Sequence, residues 1–350
     1  MPETWDVVVI GAGPAGSRAA RAAASGGASV LLVERKRRAG ALPHCAEFVP
    51  RALGLEMDMP PRAKVQPVEG METILGGAAQ YTPSPGWILD RQVFDHGLAL
   101  EAAQAGAVLE AATSFLGREN GLMIIQRGKQ RREIQAGCVV AADGASSATA
   151  RSFGLPRQDL LAGVQVEVPL AAKLERTLIY LDPVYEGGYA WLFPKGAAAN
   201  LGVGCLGTAT PRRLLEALRL RLLDEGLIKP GVLALGGGAI PVGGPRDAAV
   251  VGNLILTGDA AGLTHPITGA GIPQAITSGH LAGEAALALA GGKAEAGQEY
   301  AHELDIAFKG YLGRGLAARK RMLAGWGSHD FSTLMADAWP GWKQPDEARA

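Results

Sequence analysis

At 350 residues the chain is long for one hydrophobic core, so one large domain or two interleaved ones are expected. Lys+Arg and Asp+Glu balance at 34 each, which leaves no net field to favour nucleic acid. Hydrophobic residues at 48% with 49 glycines fit a compact α/β protein rich in tight turns and exclude a disordered or fibrous one. Cys45, Cys138 and Cys205 lie far apart with no C-x-x-C pair, so neither a zinc site nor a disulfide framework is expected. Glu3 and Asp6 stand where a signal peptide needs Lys or Arg, and no segment approaches the roughly 18 apolar residues of a spanning helix. A cytoplasmic protein is expected, with peripheral membrane contact left open.

In chain order, residues 5–10 form an apolar strand, followed by Gly11-Ala12-Gly13-Pro14-Ala15-Gly16 and an Ala-rich helix. A second apolar run, SVLLVE, ends at Glu34. In such a unit Gly11 permits the tight turn, Gly13 lets backbone approach a pyrophosphate, and Gly16 allows close helix–strand packing. The helix N-terminus favours phosphate, and Glu34 is placed for a ribose 2′-OH, which argues against a 2′-phosphate. FAD and NAD both fit. Arg35 follows directly, at the head of a basic turn.

Further along, DRQVFDHGLALEAAQAGA reads as a helix from residue 90, and CVVAADGA as a strand running into a turn at Asp143. Segments GVQVEVPL, RTLIYLD, YAWLFP and NLGVGCL alternate apolar and polar residues as an antiparallel sheet would, and Cys138 and Cys205 read as core. NLILTGDAAG repeats the strand-to-loop pattern, and GIPQAITSGHLAGEAALALA continues it as a helix. AFKGYLGRGLAARKRML sets Lys309, Arg314, Arg319, Lys320 and Arg321 among apolar residues, a pattern open to bilayer contact. From Phe331 the tail is expected to be loose.

The fold class is therefore α/β: a Rossmann-type FAD-binding domain interrupted by an antiparallel β-sheet substrate domain, with C-terminal helices. The expected division is 1–45, 86–155 and 250–310 for the discontinuous nucleotide domain, 46–85 and 156–249 for the β-rich domain, and 311–350 for the helical tail. Choosing FAD over NAD rests on a resemblance. From about residue 5 to about residue 310 the sequence resembles the geranylgeranyl reductase family of FAD-dependent oxidoreductases. Its R-x-x-F-D, DG, GD and Y-x-W-x-F-P segments occur here in the family's order.

The resemblance implies that Arg91, Asp143, Gly144, Gly258 and Asp259 contact FAD, with Asp259 on the ribityl chain. It sets Pro266, Gly269, Gly271 and Ile272 against the isoalloxazine. GALPHCAEFVP is similar to the family's segment beside the flavin, which makes Cys45 and Glu47 the candidate catalytic pair, Glu47 as an acid or as an orienting group. His44, Tyr189, Trp191 and Phe193 become pocket candidates, the three aromatics facing one side of a strand. The implied reaction is hydride transfer to a carbon–carbon double bond of a hydrophobic, isoprenoid-like substrate. No second G-x-G-x-x-G is visible, so NAD(P)H would visit transiently, and ferredoxin or another carrier is equally open. The alternatives are a monooxygenase hydroxylating an aromatic substrate, possibly a peptidyl side chain, and a non-catalytic flavin-binding assembly protein.

Overall fold

The structure is a computed structural model that describes residues 1–41, 45–60, 62–206, 211–327 and 330–342. Strand β1 (Glu3–Ile10), helix α1 (Pro14–Ser25) and β2 (Val30–Glu34) form the opening unit. Next come β3 (Phe48–Pro50), α2 (Leu53–Glu56), β4 (Lys64–Leu75), β5 (Ala78–Leu89) and α3 (Arg91–Gln104). Strands β6 (Val108–Ala111), β7 (Thr113–Glu119), β8 (Leu122–Arg127) and β9 (Gln130–Ala141) lead to a short α4 (Ala148–Ser152). Then follow β10 (Leu160–Pro169), β11 (Thr177–Leu181), β12 (Tyr189–Lys195), β13 (Ala198–Cys205), α5 (Pro211–Asp224) and β14 (Ala234–Pro241). The chain continues through β15 (Val250–Val251), β16 (Leu254–Leu256), a 3-10 turn at Gly258–Ala261, α6 (Ile272–Ala290) and α7 (Ala296–Leu304). A π-turn at Asp305–Lys309 joins α7 to α8 (Gly310–Gly325), and α9 (Phe331–Ala338) follows.

The first sheet runs β6-β2-β1-β9-β16 in parallel, with β15 antiparallel at its edge. Consecutive residues Val7, Val8 and Val9 are all fully buried, which requires cover on both faces of β1. Helices α1, α3 and α6 pack together on this sheet, and Met123 and Ile125 of β8 join the same core. Glycine makes the α1–α6 contact close: a Cβ on Gly279 would lie 2.3 Å from the Ala15 carbonyl oxygen, and one on Gly283 equally near that of Ala19.

The second sheet has the order β14-β10-β13-β12-β11-β4-β5-β3. Strands β10 to β14 pair antiparallel, but β11 lies parallel to β4, so the sheet is mixed where alternation alone predicted antiparallel. Alternation reports which face is buried, not strand direction, and β4 and β11 are about a hundred residues apart in sequence, beyond the reach of any hairpin signal. One face packs Leu178, Ala190, Leu192 and Leu201 against α5. The other gathers Ile179, Trp191 and Phe193 with Ile267, Met322, Met335 and Trp339.

That second cluster corrects the expected loose tail. Met335 is 1% and Trp339 3% exposed, so α9 is part of the core over this face, and Thr82 Oγ1 donates to the Gly341 carbonyl at 2.8 Å. Residues 343–350 lie outside the described residues. Among the described residues no helix is long and apolar enough to cross a membrane.

Candidate active site

Strands β1, β2, β9 and β16 all end at one edge of the first sheet, and the sequence motifs sit in the turns just beyond it. Gly11 has φ +103°, and a Cβ there would come within 2.5 Å of the Ala142 carbonyl oxygen. A Cβ on Gly16 would lie 1.8 Å from the Gly11 carbonyl oxygen, whereas one on Gly13 meets nothing within 4 Å. Gly13 caps α1 without a side-chain bond, so the first N–H groups of that helix face an opening beside bare backbone. Glu34 Oε2 accepts from Ala12 N–H at 3.0 Å and fixes the turn, while Arg35 is exposed just past β2. Asp143 accepts from Ser147 Oγ at 2.5 Å and from Thr149 N–H at 2.9 Å, and Gly144 is left-handed at φ +80°.

The loop after β16 is the second half of the cradle. Gly258 (φ +56°) packs toward buried Ala15, where an added Cβ would stand 2.9 Å from that of Ala15. Asp259 accepts from Thr264 Oγ1 at 2.9 Å; burial raises its pKa, opposed by that bond and by Arg91. The Pro266 carbonyl accepts from Arg319 at 3.2 Å, and the Thr268 carbonyl from Tyr189 at 2.5 Å. Gly269 is left-handed at φ +69°, and Gly271 caps α6 without a side-chain bond, ahead of buried Ile272. Two uncapped helix N-termini therefore open toward the cradle.

Between cradle and second sheet lies a polar knot. Asp90 caps α3 through Gln92 and Val93 N–H, and this places Arg91 on the first turn. Arg91 grips Asp95 with Nε and Nη2 at 2.7 and 2.8 Å, and its charge reaches the Cys45 thiol. Burial alone would lower the Arg91 pKa, but the Asp95 carboxylate more than offsets it, so the guanidinium stays charged. Burial pushes the Cys45 thiol up, with Arg91 only partly opposing. Glu47, 2% exposed and at φ +72°, accepts from Arg91 N–H at 3.0 Å, Lys195 Nζ at 2.6 Å and Asn200 Nδ2 at 2.7 Å. Gln165 links the Cys45 carbonyl to Trp191 Nε1, at 3.1 and 3.0 Å.

Tyr189, Trp191 and Phe193 share the face of β12 that carries Lys195 and join the cluster containing Ile267. His44 lies outside the described residues. Sequence reasoning missed Lys195, Asn200, Gln165, Asp95 and Arg319. Two of these had a signal: Lys195 extends the alternation of the three aromatics by one step, and Asp95 stands four residues after Arg91 on a helix. Arg319, expected among exposed basic residues, is instead 4% exposed and donates to the Gly187 carbonyl at 2.8 Å.

Residues 5–169 match the pyridine nucleotide-disulphide oxidoreductase family. Over 310 residues the chain is 36% identical to digeranylgeranylglycerophospholipid reductase 1 of Methanothermobacter thermautotrophicus, covering 81% of this chain and 77% of that protein. The chain belongs to the geranylgeranyl reductase family. A solved geranylgeranyl bacteriochlorophyll reductase-like protein from Thermoplasma acidophilum superposes with TM-score 0.85 at 27% identity, over 97% of this chain and 93% of its own. A probable FAD-dependent monooxygenase from Pseudomonas aeruginosa shares the fold alone, at TM-score 0.67 and 20% identity over 95% of this chain and 100% of its own. The protein is thus a flavoprotein oxidoreductase of the geranylgeranyl reductase family, and its relatives support a reductase over a monooxygenase. Its cradle fits a flavin nucleotide: the space a Gly13 Cβ would fill is open, and the uncapped N-termini of α1 and α6 offer N–H groups to anionic or electron-rich edges.

Proposed function

We propose that the protein is an FAD-dependent reductase that saturates carbon–carbon double bonds in the prenyl chain of an isoprenoid lipid. The observation that carries this reading is the position of Cys45, which packs against the cluster containing Ile272 of the cradle while its carbonyl is tied through Gln165 to Trp191 of β12. Gly11, Gly13, Ala15 and Gly16 would hold the FAD diphosphate, with Glu34 and Arg35 at its ribose end. Arg91, Asp143, Gly144, Gly258 and Asp259 would flank the rest of the cofactor, and Pro266, Gly269, Gly271 and Ile272 would back the ring. Bound there, the flavin supplies hydride.

The chain's own residues supply the rest. Tyr189, Trp191 and Phe193 form an apolar layer that would have to part from Met335 and Trp339 of the C-terminal helix and its flank to admit a prenyl chain. The Cys45 sulfur accepts from Glu47 N–H at 3.2 Å, while its pKa, raised by burial, keeps the proton on at neutral pH. That leaves a thiol proton for the carbon that the hydride does not reach. Glu47, with three donors on its two oxygens, takes the orienting role rather than the acid's. Reductant enters transiently as NAD(P)H, ferredoxin or another carrier.

Purified protein reconstituted with FAD and reduced anaerobically with dithionite tests the reading, with a digeranylgeranyl glycerophospholipid as substrate. Mass spectrometry should show two hydrogens gained per double bond. Cys45→Ser should bind and reduce FAD normally while product formation falls about 10²-fold, the scale of a lost general acid. Failure to take up FAD, or unchanged turnover in Cys45→Ser at equal FAD occupancy, would sink the cofactor and the thiol assignments respectively.

A further inference from the structure

A cavity of about 270 Å³ lies beside the turn after β9, at the edge of the cradle. Arg151, Arg157 and Arg246 line it together with Ser146, Ser147 and Gln158, and no carboxylate belongs to that lining. Two of the guanidinium groups are held by neutral carbonyls. Arg246 donates to Ala260 and Pro156 at 2.8 and 2.7 Å, and Arg151 to Ser147 at 3.1 Å and to Ser146. These bonds fix position without neutralising charge. Asp143, held by Ser147 and Thr149, acts on Arg246 from beside the cavity, and Asp159 stands between the lining residues Gln158 and Leu160.

Gln158 forms the floor. Its Nε2 donates to the Ala145 carbonyl at 3.0 Å and the Asp259 carbonyl at 2.9 Å, joining two turns of the cradle. Its Oε1 is buried without a partner. That oxygen is closed off against Gly262, so the chemistry of the cavity is set by its three arginines, which call for a ligand that carries negative charge.

We propose that this cavity binds the phosphate of a phosphorylated ligand. A phosphate group presents several anionic acceptors at once and so satisfies the arginines together. Two sources share that chemistry: the diphosphate of a dinucleotide reductant and the glycerophosphate head of a lipid. The proposal does not depend on the flavin reading, since it concerns binding to the chain with or without FAD.

The test is calorimetric titration of the full-length protein, FAD-loaded and FAD-free, with inorganic pyrophosphate at low salt. Saturable binding is expected in both forms. Arg157→Gln should weaken it about tenfold, the scale of one lost charge-assisted bond, and the exposed position of Arg157 spares the fold. Raising salt to about 0.5 M should weaken it further. Competition then separates the sources: displacement of pyrophosphate by NADPH more readily than by glycerol 3-phosphate assigns the reductant, and the reverse order assigns the lipid head. The absence of saturable pyrophosphate binding, or binding indifferent to both Arg157→Gln and Arg246→Lys, overturns the proposal. Phosphate binding retained by a protein that cannot take up FAD would count against the cofactor assignment alone.

Discussion

The two ends of the cradle are made of different material. At the nucleotide end the shape is backbone: Gly11, Gly13 and Gly16 leave out side chains, and the turn closes through contacts among residues close in sequence or on adjacent strands. At the substrate end the shape is a circuit of charged and polar side chains from α3, β10, β12, β13 and the Cys45–Glu47 turn. The glycines of the first end are damaged by adding atoms. The second is damaged by removing them, because each charge there is buried against a specific partner.

Lys195→Met gives the largest expected effect on stability. It strands the Glu47 carboxylate, which is 3% exposed in its side chain, with only Asn200 and one backbone N–H. Removing one partner of a buried ion pair costs about 3 kcal/mol or more. The double variant Lys195→Met/Glu47→Gln should recover most of that loss in urea unfolding. A double variant no more stable than the single would show that the ion pair is not what joins the turn to the second sheet.

Gly16→Ala should come next, at about 2 kcal/mol, because a methyl group must be forced against the Gly11 carbonyl. Gly13→Ala is its sharpest control. Its Cβ meets no protein atom within 4 Å, so thermal stability should stay near wild type while FAD retention on gel filtration falls. Equal stability losses in the two variants would erase the distinction between a packing glycine and a ligand-facing one.

The same contrast explains what the sequence made legible. Glycine spacing, strand length and the acid at Glu34 are local, and their physics acts over a few residues; the geometry of these turns could be read directly. The helix start at Asp90 and the burial of Cys138 and Cys205 were legible for the same reason. Asn200 and Gln165 were not, since a polar residue on a strand declares itself only once Glu47 and Cys45 are packed against it from about 120–150 residues away. The parallel β11–β4 pair and the docking of α9 failed to show for an equivalent reason. Amphipathic alternation names a buried face but not its occupant. Arg319 is the extreme case: its helix reads as basic and exposed, yet that one arginine turns inward to two carbonyls.

The smallest effect expected is a pH dependence from the one histidine that touches the cradle loop. His265 is 4% exposed, and its Nδ1 accepts from Ile267 and Thr268 N–H at 3.3 and 3.2 Å, so the neutral ring holds the loop that leads to Gly269 and Gly271. From α8, the Tyr311 ring packs at 4.8 Å and Gly315 sits so close that a Cβ would be 2.8 Å from Nε2. Arg319 bonds the adjacent Pro266 carbonyl, adding a cation on that side. Burial lowers the His265 pKa below its ordinary 6.5. For a depressed folded pKa the contribution to stability is complete above pH 6.5 and is lost as pH falls through the folded value, because the unfolded chain binds the proton first. Tm should therefore decline as pH drops below about 6.5, with FAD loosening in parallel. His265→Asn keeps an acceptor near the position of Nδ1 but cannot be protonated in this range, so its Tm should fall less over the same interval. An equally steep decline in His265→Asn would assign the acid sensitivity to other groups and free the loop from dependence on its histidine.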